Sequence, residues 1–307
     1  MTPTLVRQHR PHAGPAPRAD LAARARDWSE IQERMLVPLH EAVYERLDVG
    51  PGTRLLGLGC GSGLALLTAV SMGAHVTGVE PSFPERLALA RRRLAPRTWD
   101  AHARDAVRLV DGTLRDLEDG TRADAGEHSE DSTENSRGPA GARTAPYDIV
   151  TAFEPVGCLA GDSEGLVELL AAAAPLARRG APVVLVGWGP PERCATSTVL
   201  RVATELAEPL PSTGSWRPAL RDDLEEVAQR AGLKPDGSGR VACPFGYASV
   251  DSARKGLLST GLFDAAISAT DQAQVDKEVT EALHRYRRAD GTVWMPNVFR
   301  YLIARTP

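Results

Sequence analysis

Apolar residues recur at every fourth position through Ile31, Met35, Leu39, Val43 and Leu47. That period lines them along one helical face. It predicts an amphipathic helix over residues 28–47, kinked at Pro38 and ended by Pro51-Gly52. Beyond it the pattern switches between two periods. Residues 54–58 form a short apolar run that leads into a glycine cluster, and 64–72 return to the helical period. Residues 75–80 read as a strand, and 84–94 as a helix with Pro84 in its first turn, where a missing N–H costs nothing. Residues 107–110, 147–153 and 182–186 read as the third, fourth and fifth strands, with a helix over 163–177. Alternating strands and helices imply an α/β fold: a doubly wound, Rossmann-like parallel sheet with right-handed crossovers.

Past Trp188 the alternation loosens. Helices are expected over 192–206 and 220–231, and a strand over 237–247. A helical stretch over 252–288 is broken near Gly261, and a closing strand spans 298–303. The expected organisation is one domain over 21–307, the sheet carrying helical additions. Two stretches stand apart. Residues 1–20, with Pro3, Pro11, Pro15 and Pro17, hold too little apolar surface to order themselves. Residues 119–145 carry almost no large apolar side chain and exceed the usual loop length; they read as a flexible insertion or as a lid over a ligand.

Hydrophobic residues at 42% and charged residues at 25% are ordinary for a globular chain, so composition leaves this picture unchanged. The net charge of −4 argues against nucleic acid as a partner, since such binders need a concentrated cationic surface. Arg91-Arg92-Arg93 reads as a solvated helix face. The four cysteines are widely spaced without a Cys-x-x-Cys pair, which suits free thiols in a reducing, cytoplasmic compartment. The seven histidines are scattered and suggest no metal site. No run of 18 apolar residues suggests a membrane span, and the N-terminus lacks the apolar core of a signal peptide.

The chemistry gathers at Gly59-Cys60-Gly61-Ser62-Gly63, between a strand end and a helix start. Backbone N–H groups are unpaired at such a place, and glycine lets a ligand approach them. The spacing is Gly-x-Gly-x-Gly; Leu64 stands where a dinucleotide fingerprint has its third glycine. A mere tight turn is the alternative. Glu80, about twenty residues on at the end of the second strand, is placed to accept bonds from both ribose hydroxyls.

These residues carry a resemblance. Residues 51–63 (Pro-Gly-Thr-Arg-Leu-Leu-Gly-Leu-Gly-Cys-Gly-Ser-Gly) are similar to the first motif of class I S-adenosylmethionine (SAM)-dependent methyltransferases. Residues 73–82 resemble the second motif, 147–153 the fourth-strand motif, and 299–304 the last strand of small-molecule members. The resemblance implies SAM as cofactor, held by Gly59, Gly61, Gly63 and Glu80, with Thr113 and Phe153 beside it. Two positions depart from it. Gly57 stands where the family has a carboxylate, and Thr113 follows Gly112 where an aspartate near the adenine is usual; Asp111 is the available substitute. Losing a charge-assisted bond costs about 1.5–3 kcal/mol, so these departures bear directly on cofactor affinity.

Ligands of doubly wound sheets lie beyond the carboxyl ends of the strands. Glu154, directly after the fourth strand, is a candidate general base or a plain loop carboxylate. Trp188 is a pocket wall or core. Arg193 is a clamp for an anionic group or half of a solvated ion pair with Glu192. Trp28, Tyr44, Tyr247 and Trp294 divide between pocket and core. No Ser-His-Asp order, nucleophile elbow or phosphate-binding lysine motif is present. The leading expectation is methyl transfer to a small molecule in secondary metabolism, such as antibiotic biosynthesis. A methyltransferase-like enzyme that cyclises its substrate without the cofactor, by amine displacement or cycloaddition, is the alternative that Gly57 and Thr113 favour. A non-catalytic partner of another biosynthetic enzyme is the third.

Overall fold

Proline decides where the first helical stretch restarts. In the computed structural model, which describes residues 20–94, 106–114, 146–157, 163–207 and 223–307, α1 (Leu21–Asp27) is capped by the Asp20 side chain, which accepts from Ala23 N at 2.9 Å. The chain then widens into a π turn, Trp28–Gln32, and tightens into a 3-10 turn, Glu33–Leu36, before α2 (Val37–Arg46). A single helix kinked at Pro38 is therefore not what forms. Pro38 has no N–H for the Arg34 carbonyl, so a new helix starts with proline in its first turn. The irregular winding turns both Trp28 and Glu33 inward; each is buried.

The sheet follows the expected alternation. β1 (Arg54–Leu58), β2 (His75–Glu80), β3 (Val107–Asp111), β4 (Ile149–Val156) and β5 (Pro182–Trp188) are parallel, in the order β3-β2-β1-β4-β5. Connecting helices include α3 (Leu64–Ser71), α4 (Pro84–Leu94), α5 (Glu164–Ala173), α6 (Thr196–Ala207) and α7 (Asp223–Arg230). β6 (Lys234–Ala242) and β9 (Val298–Arg305) complete seven strands, with β9 antiparallel between β5 and β6. This is the expected doubly wound, Rossmann-like sheet with helical additions. Alternation along β5 shows its two covered faces: Val183 and Leu185 join a core with α5 and α7, while Val184 and Val186 join one with α2, α3 and α6.

The carboxyl-terminal half is more divided than its periodicity suggests. The helical stretch becomes α8 (Val250–Leu258), α9 (Asp264–Ala269) and α10 (Gln272–Leu283), followed by a 3-10 turn, His284–Tyr286. Ser249 caps α8 and Asp271 caps α10, each accepting an N–H three residues on. The single strand expected over 237–247 is two. β6 stops at Ala242 before Pro244, and β7 (Phe245–Tyr247) pairs instead with β8 (Val293–Met295) in a separate sheet. Among the described residues no helix is long and apolar enough to cross a membrane. The proline-rich segment before Asp20, the 119–145 stretch and Cys158 lie outside the described residues.

Candidate active site

The loop leaving β1 is shaped by its glycines. Gly59, Gly61 and Gly63 have φ of +60°, +56° and +81°, the left-handed region that other residues enter only with strain. At Gly63 a side chain would also stand 2.9 Å from Leu94 Cδ1 and 3.0 Å from Ala90 Cβ, so α4 packs directly on the loop. Gly63 thus belongs to the packing, whereas Gly59 and Gly61 line a cavity.

Every N–H from residue 60 to 64 is donated within the chain. Cys60 N donates to Val79 O at 3.1 Å, and Gly63 N to Cys60 O at 3.0 Å. Gly61 N donates to Glu80 Oε2 at 2.8 Å. Ser62 N and Leu64 N donate to Glu33 Oε1 at 3.1 and 3.3 Å. The other Glu80 oxygen accepts from Ser82 N at 3.1 Å and Phe83 N at 3.2 Å. Glu80 is therefore first a tie between two loops, 3% exposed, with about one of the four acceptor positions of a carboxylate unspent.

Sequence reasoning missed Glu33. It sits off the every-fourth-residue apolar row, where a glutamate reads as solvated surface. Ser62 Oγ donates to its Oε2, and Arg93 Nη1 meets the same oxygen at 2.6 Å. Arg93 also reaches Ser62 O at 2.8 Å and Ser29 Oγ at 2.7 Å. The Arg91-Arg92-Arg93 triplet is thus only partly the solvated face expected of it. Arg91 and Arg92 are exposed, but Arg93 is turned inward by a buried carboxylate that needs a counter-charge.

With the 28–36 segment laid over the loop, the cavity measures about 40 Å³, room for about three waters. Its walls include Trp28, Glu33, His40, Glu80, Arg86, Phe153 and Glu154. The Arg86 guanidinium is 4.0 Å from the ring centres of both Trp28 and Phe83, and its Nη2 donates to Ser259 O at 2.8 Å. Burial lowers its pKa, opposed by the Glu154 and Glu80 carboxylates. Among the described residues, buried Trp28 Nε1 and His40 Nδ1 find no hydrogen-bond partner. Burial pushes the His40 imidazole down to about 3, so it is neutral at pH 7. Burial, aided by Glu80 and Glu33, raises the Cys60 thiol to about 12, which keeps it protonated and inert.

Phe153 and Glu154 reach this cavity through an irregularity in β4. Ala152 faces Leu185 and the next pair is Val156 with Gly187, so β4 holds two residues more than β5 over that span. Glu154 was expected just past the strand; the strand instead runs to Val156 and Glu154 lies in the bulge. Pro155, which has no N–H to pair, suits that place. The bulge leaves Glu154 exposed at the rim, its Oε2 3.7 Å from where a Gly59 side chain would begin. Phe153 is buried edge-on to Tyr44, at 5.5 Å, and 4.7 Å from His40.

The remaining candidates are dispersed. Tyr44 is a core residue, wholly buried, with its hydroxyl donating to Ala65 O at 3.0 Å. Tyr247 is buried too, donating to Gln32 Oε1 at 2.9 Å. Trp188 is half-buried and packs against the core, 4.6 Å from Phe299 and 6.1 Å from Phe245. Arg193 is exposed on a 3-10 turn, Pro191–Arg193, and lines a separate open groove of about 680 Å³ with Tyr286 and Trp294. Thr113 is exposed beyond β3 and does not line the loop cavity. Asp111 lies opposite Glu80 in the β2–β3 pairing, 4.0 Å from Arg91. The missing carboxylate at Gly57 has a packing cause: a side chain there would begin 2.8 Å from Leu66 Cδ2.

No family model and no curated protein matches the chain. Solved structures do resemble it. YjhP of E. coli is 19% identical, with a TM-score of 0.49 over 93% of this chain and 99% of that one. The cyclase SpnF is 16% identical, with a TM-score of 0.47 over 88% of this chain and 80% of that one. CalS10 of Micromonospora echinaspora, an amino pentose methyltransferase solved with SAM, is 27% identical over 50% of this chain and 51% of its own, with a TM-score of 0.32. These are likenesses in the path of the chain.

Proposed function

We propose that the chain is a small-molecule methyltransferase that binds SAM against the glycine loop. The observation that carries this reading is the acidic lining of the cavity wall. Glu33 is paired with Arg93, and His40 is neutral at pH 7. Glu80 and Glu154 add two more carboxylates to the wall, against the one guanidinium of Arg86 among the described lining residues. A sulfonium cofactor with one net positive charge complements that wall. The residues fit such a ligand in kind: Gly59 and Gly61 let it approach the backbone, and Glu80 keeps one acceptor position for a ribose hydroxyl. Unpartnered Trp28 Nε1 and His40 Nδ1 are polar atoms a ligand can satisfy. Small-molecule sites need about 300–1,000 Å³, and the cavity is open at its Glu154 rim, so a ligand extends outward from it while Glu33 stays on the loop.

When bound, SAM supplies an electrophilic methyl group. The chain's part is to hold the acceptor in line and exclude water, which supplies most of the acceleration. Glu154 takes the proton of an acceptor that arrives protonated. An incubation with methyl-labelled SAM and a panel of small hydroxyl and amine compounds tests the reading; label in product supports it.

One observation favours the second reading, a cyclase of the same fold that uses no cofactor. Leu66 stands 2.8 Å from where a side chain at position 57 would begin, so the carboxylate usual there is replaced by apolar packing. In that case Glu154 takes the proton of the cyclising amine, and product gains no methyl mass. A role in secondary metabolism is proposed with either reading.

A further inference from the structure

Resting on the SAM reading of this site, we propose that Glu33 is a selectivity residue. Its carboxylate is a built-in anion that occupies the start of α3, so the loop refuses phosphate-bearing nucleotides and leaves the cavity to a cationic ligand.

A glycine loop running from a strand into a helix is ordinarily an anion receptor. The first N–H groups of the helix point outward unpaired, and the helix dipole places positive charge there. In this chain that receptor is already filled. Ser62 N and Leu64 N are spent on Glu33 Oε1, and the Ser62 hydroxyl on Oε2. Glu80 takes Gly61 N, while Cys60 N and Gly63 N go to backbone carbonyls. A phosphate would find none of the five N–H groups from 60 to 64 available, and would meet three carboxylates, Glu33, Glu80 and Glu154, on the cavity wall.

Glu33 is held for this task. It is 5% exposed, and the Arg93 guanidinium lies 2.6 Å from its Oε2. Its reach to the loop depends on the π and 3-10 turns on either side of residue 33, which carry it over Gly61 beside Trp28. A Gly61 side chain would begin 3.3 Å from Glu33 Oε1 and 3.4 Å from Trp28 Nε1. The orphaned Trp28 Nε1 thus opens beside the spent amides, as a donor that a neutral acceptor of the cationic ligand can use.

The test is a calorimetric titration of the full chain with SAM and, separately, with ADP. Wild type is expected to bind ADP at least 100-fold more weakly than SAM. Glu33→Gln keeps the side-chain shape but removes the charge and frees Arg93, so ADP affinity should rise at least tenfold. Glu33→Asp keeps the charge near the helix start and should still refuse ADP, provided thermal melting confirms a folded chain. ADP binding by wild type within tenfold of SAM overturns the proposal. So does unchanged ADP affinity in folded Glu33→Gln, or a gain in Glu33→Asp equal to that in Glu33→Gln. Should wild type bind neither ligand while Glu33→Gln gains ADP, the role of Glu33 stands and the methyl-donor reading falls. Should wild type bind SAM while Glu33→Gln leaves ADP affinity unmoved, the reverse holds.

Discussion

Glu80 Oε2 accepts the Gly61 N–H at 2.8 Å, joining the end of β2 to the middle of the glycine loop. The carboxylate that sequence reasoning assigns to a ribose is thus also the strut that keeps the loop in place. Glu80→Ala should weaken SAM binding at least tenfold, because a charge-assisted bond is worth about 1.5–3 kcal/mol. It should also destabilise the fold, since three accepted N–H bonds disappear together. Calorimetry with SAM and urea titration read the two effects separately. Unchanged affinity in a folded Glu80→Ala chain removes Glu80 from the site.

Gly63→Ala should cost about 2 kcal/mol or more in urea unfolding. It combines a positive φ with a methyl group forced against Leu94 and Ala90. Gly52→Ala is the control: its φ of +84° is similar but nothing lies within 4 Å, so about 1 kcal/mol is expected. Equal costs would mean that α4 does not pack on the loop.

Tyr44→Phe separates core from site. It removes one hydrogen bond, to Ala65 O, and should cost about 1 kcal/mol of stability while leaving SAM affinity unchanged. A clear loss of affinity without loss of stability would return Tyr44 to the pocket.

The acid side of the stability curve belongs partly to His40. Its folded pKa lies near 3, against 6.5 unfolded, because burial disfavours the cation. Below pH 6.5 the unfolded chain takes up a proton that the folded chain refuses. Stability is therefore full above 6.5 and falls as pH drops towards 3, by on the order of a few kcal/mol. Urea midpoints at pH 7, 6 and 5 should fall in that order, and His40→Phe should flatten the trend. A wild-type midpoint constant from pH 7 to 5 contradicts this burial.

The sheet was legible because its strands repeat a local pattern: β1, β2 and β5 are apolar runs bounded by glycine and proline, and β9 alternates. The loop glycines and Glu80 were legible by spacing. Glu33 and Arg93 were not, because their pairing spans 60 residues of chain and depends on a π turn that no periodicity announces. Tyr44 and Trp188 were ambiguous for a different reason. An aromatic ring suits a pocket wall and a core equally until its neighbours are known, and here those are Ala65 for one and Phe299 for the other. β8 is three residues long, too short to leave a pattern.

If the cavity at Gly59–Gly63 receives SAM, titration of ligand-free protein with SAM in a calorimeter will show it. One saturable site per chain, weakened at least tenfold in Glu80→Ala, is the predicted result. No SAM binding by folded wild type, together with product formed in the absence of SAM and without added methyl mass, would contradict it.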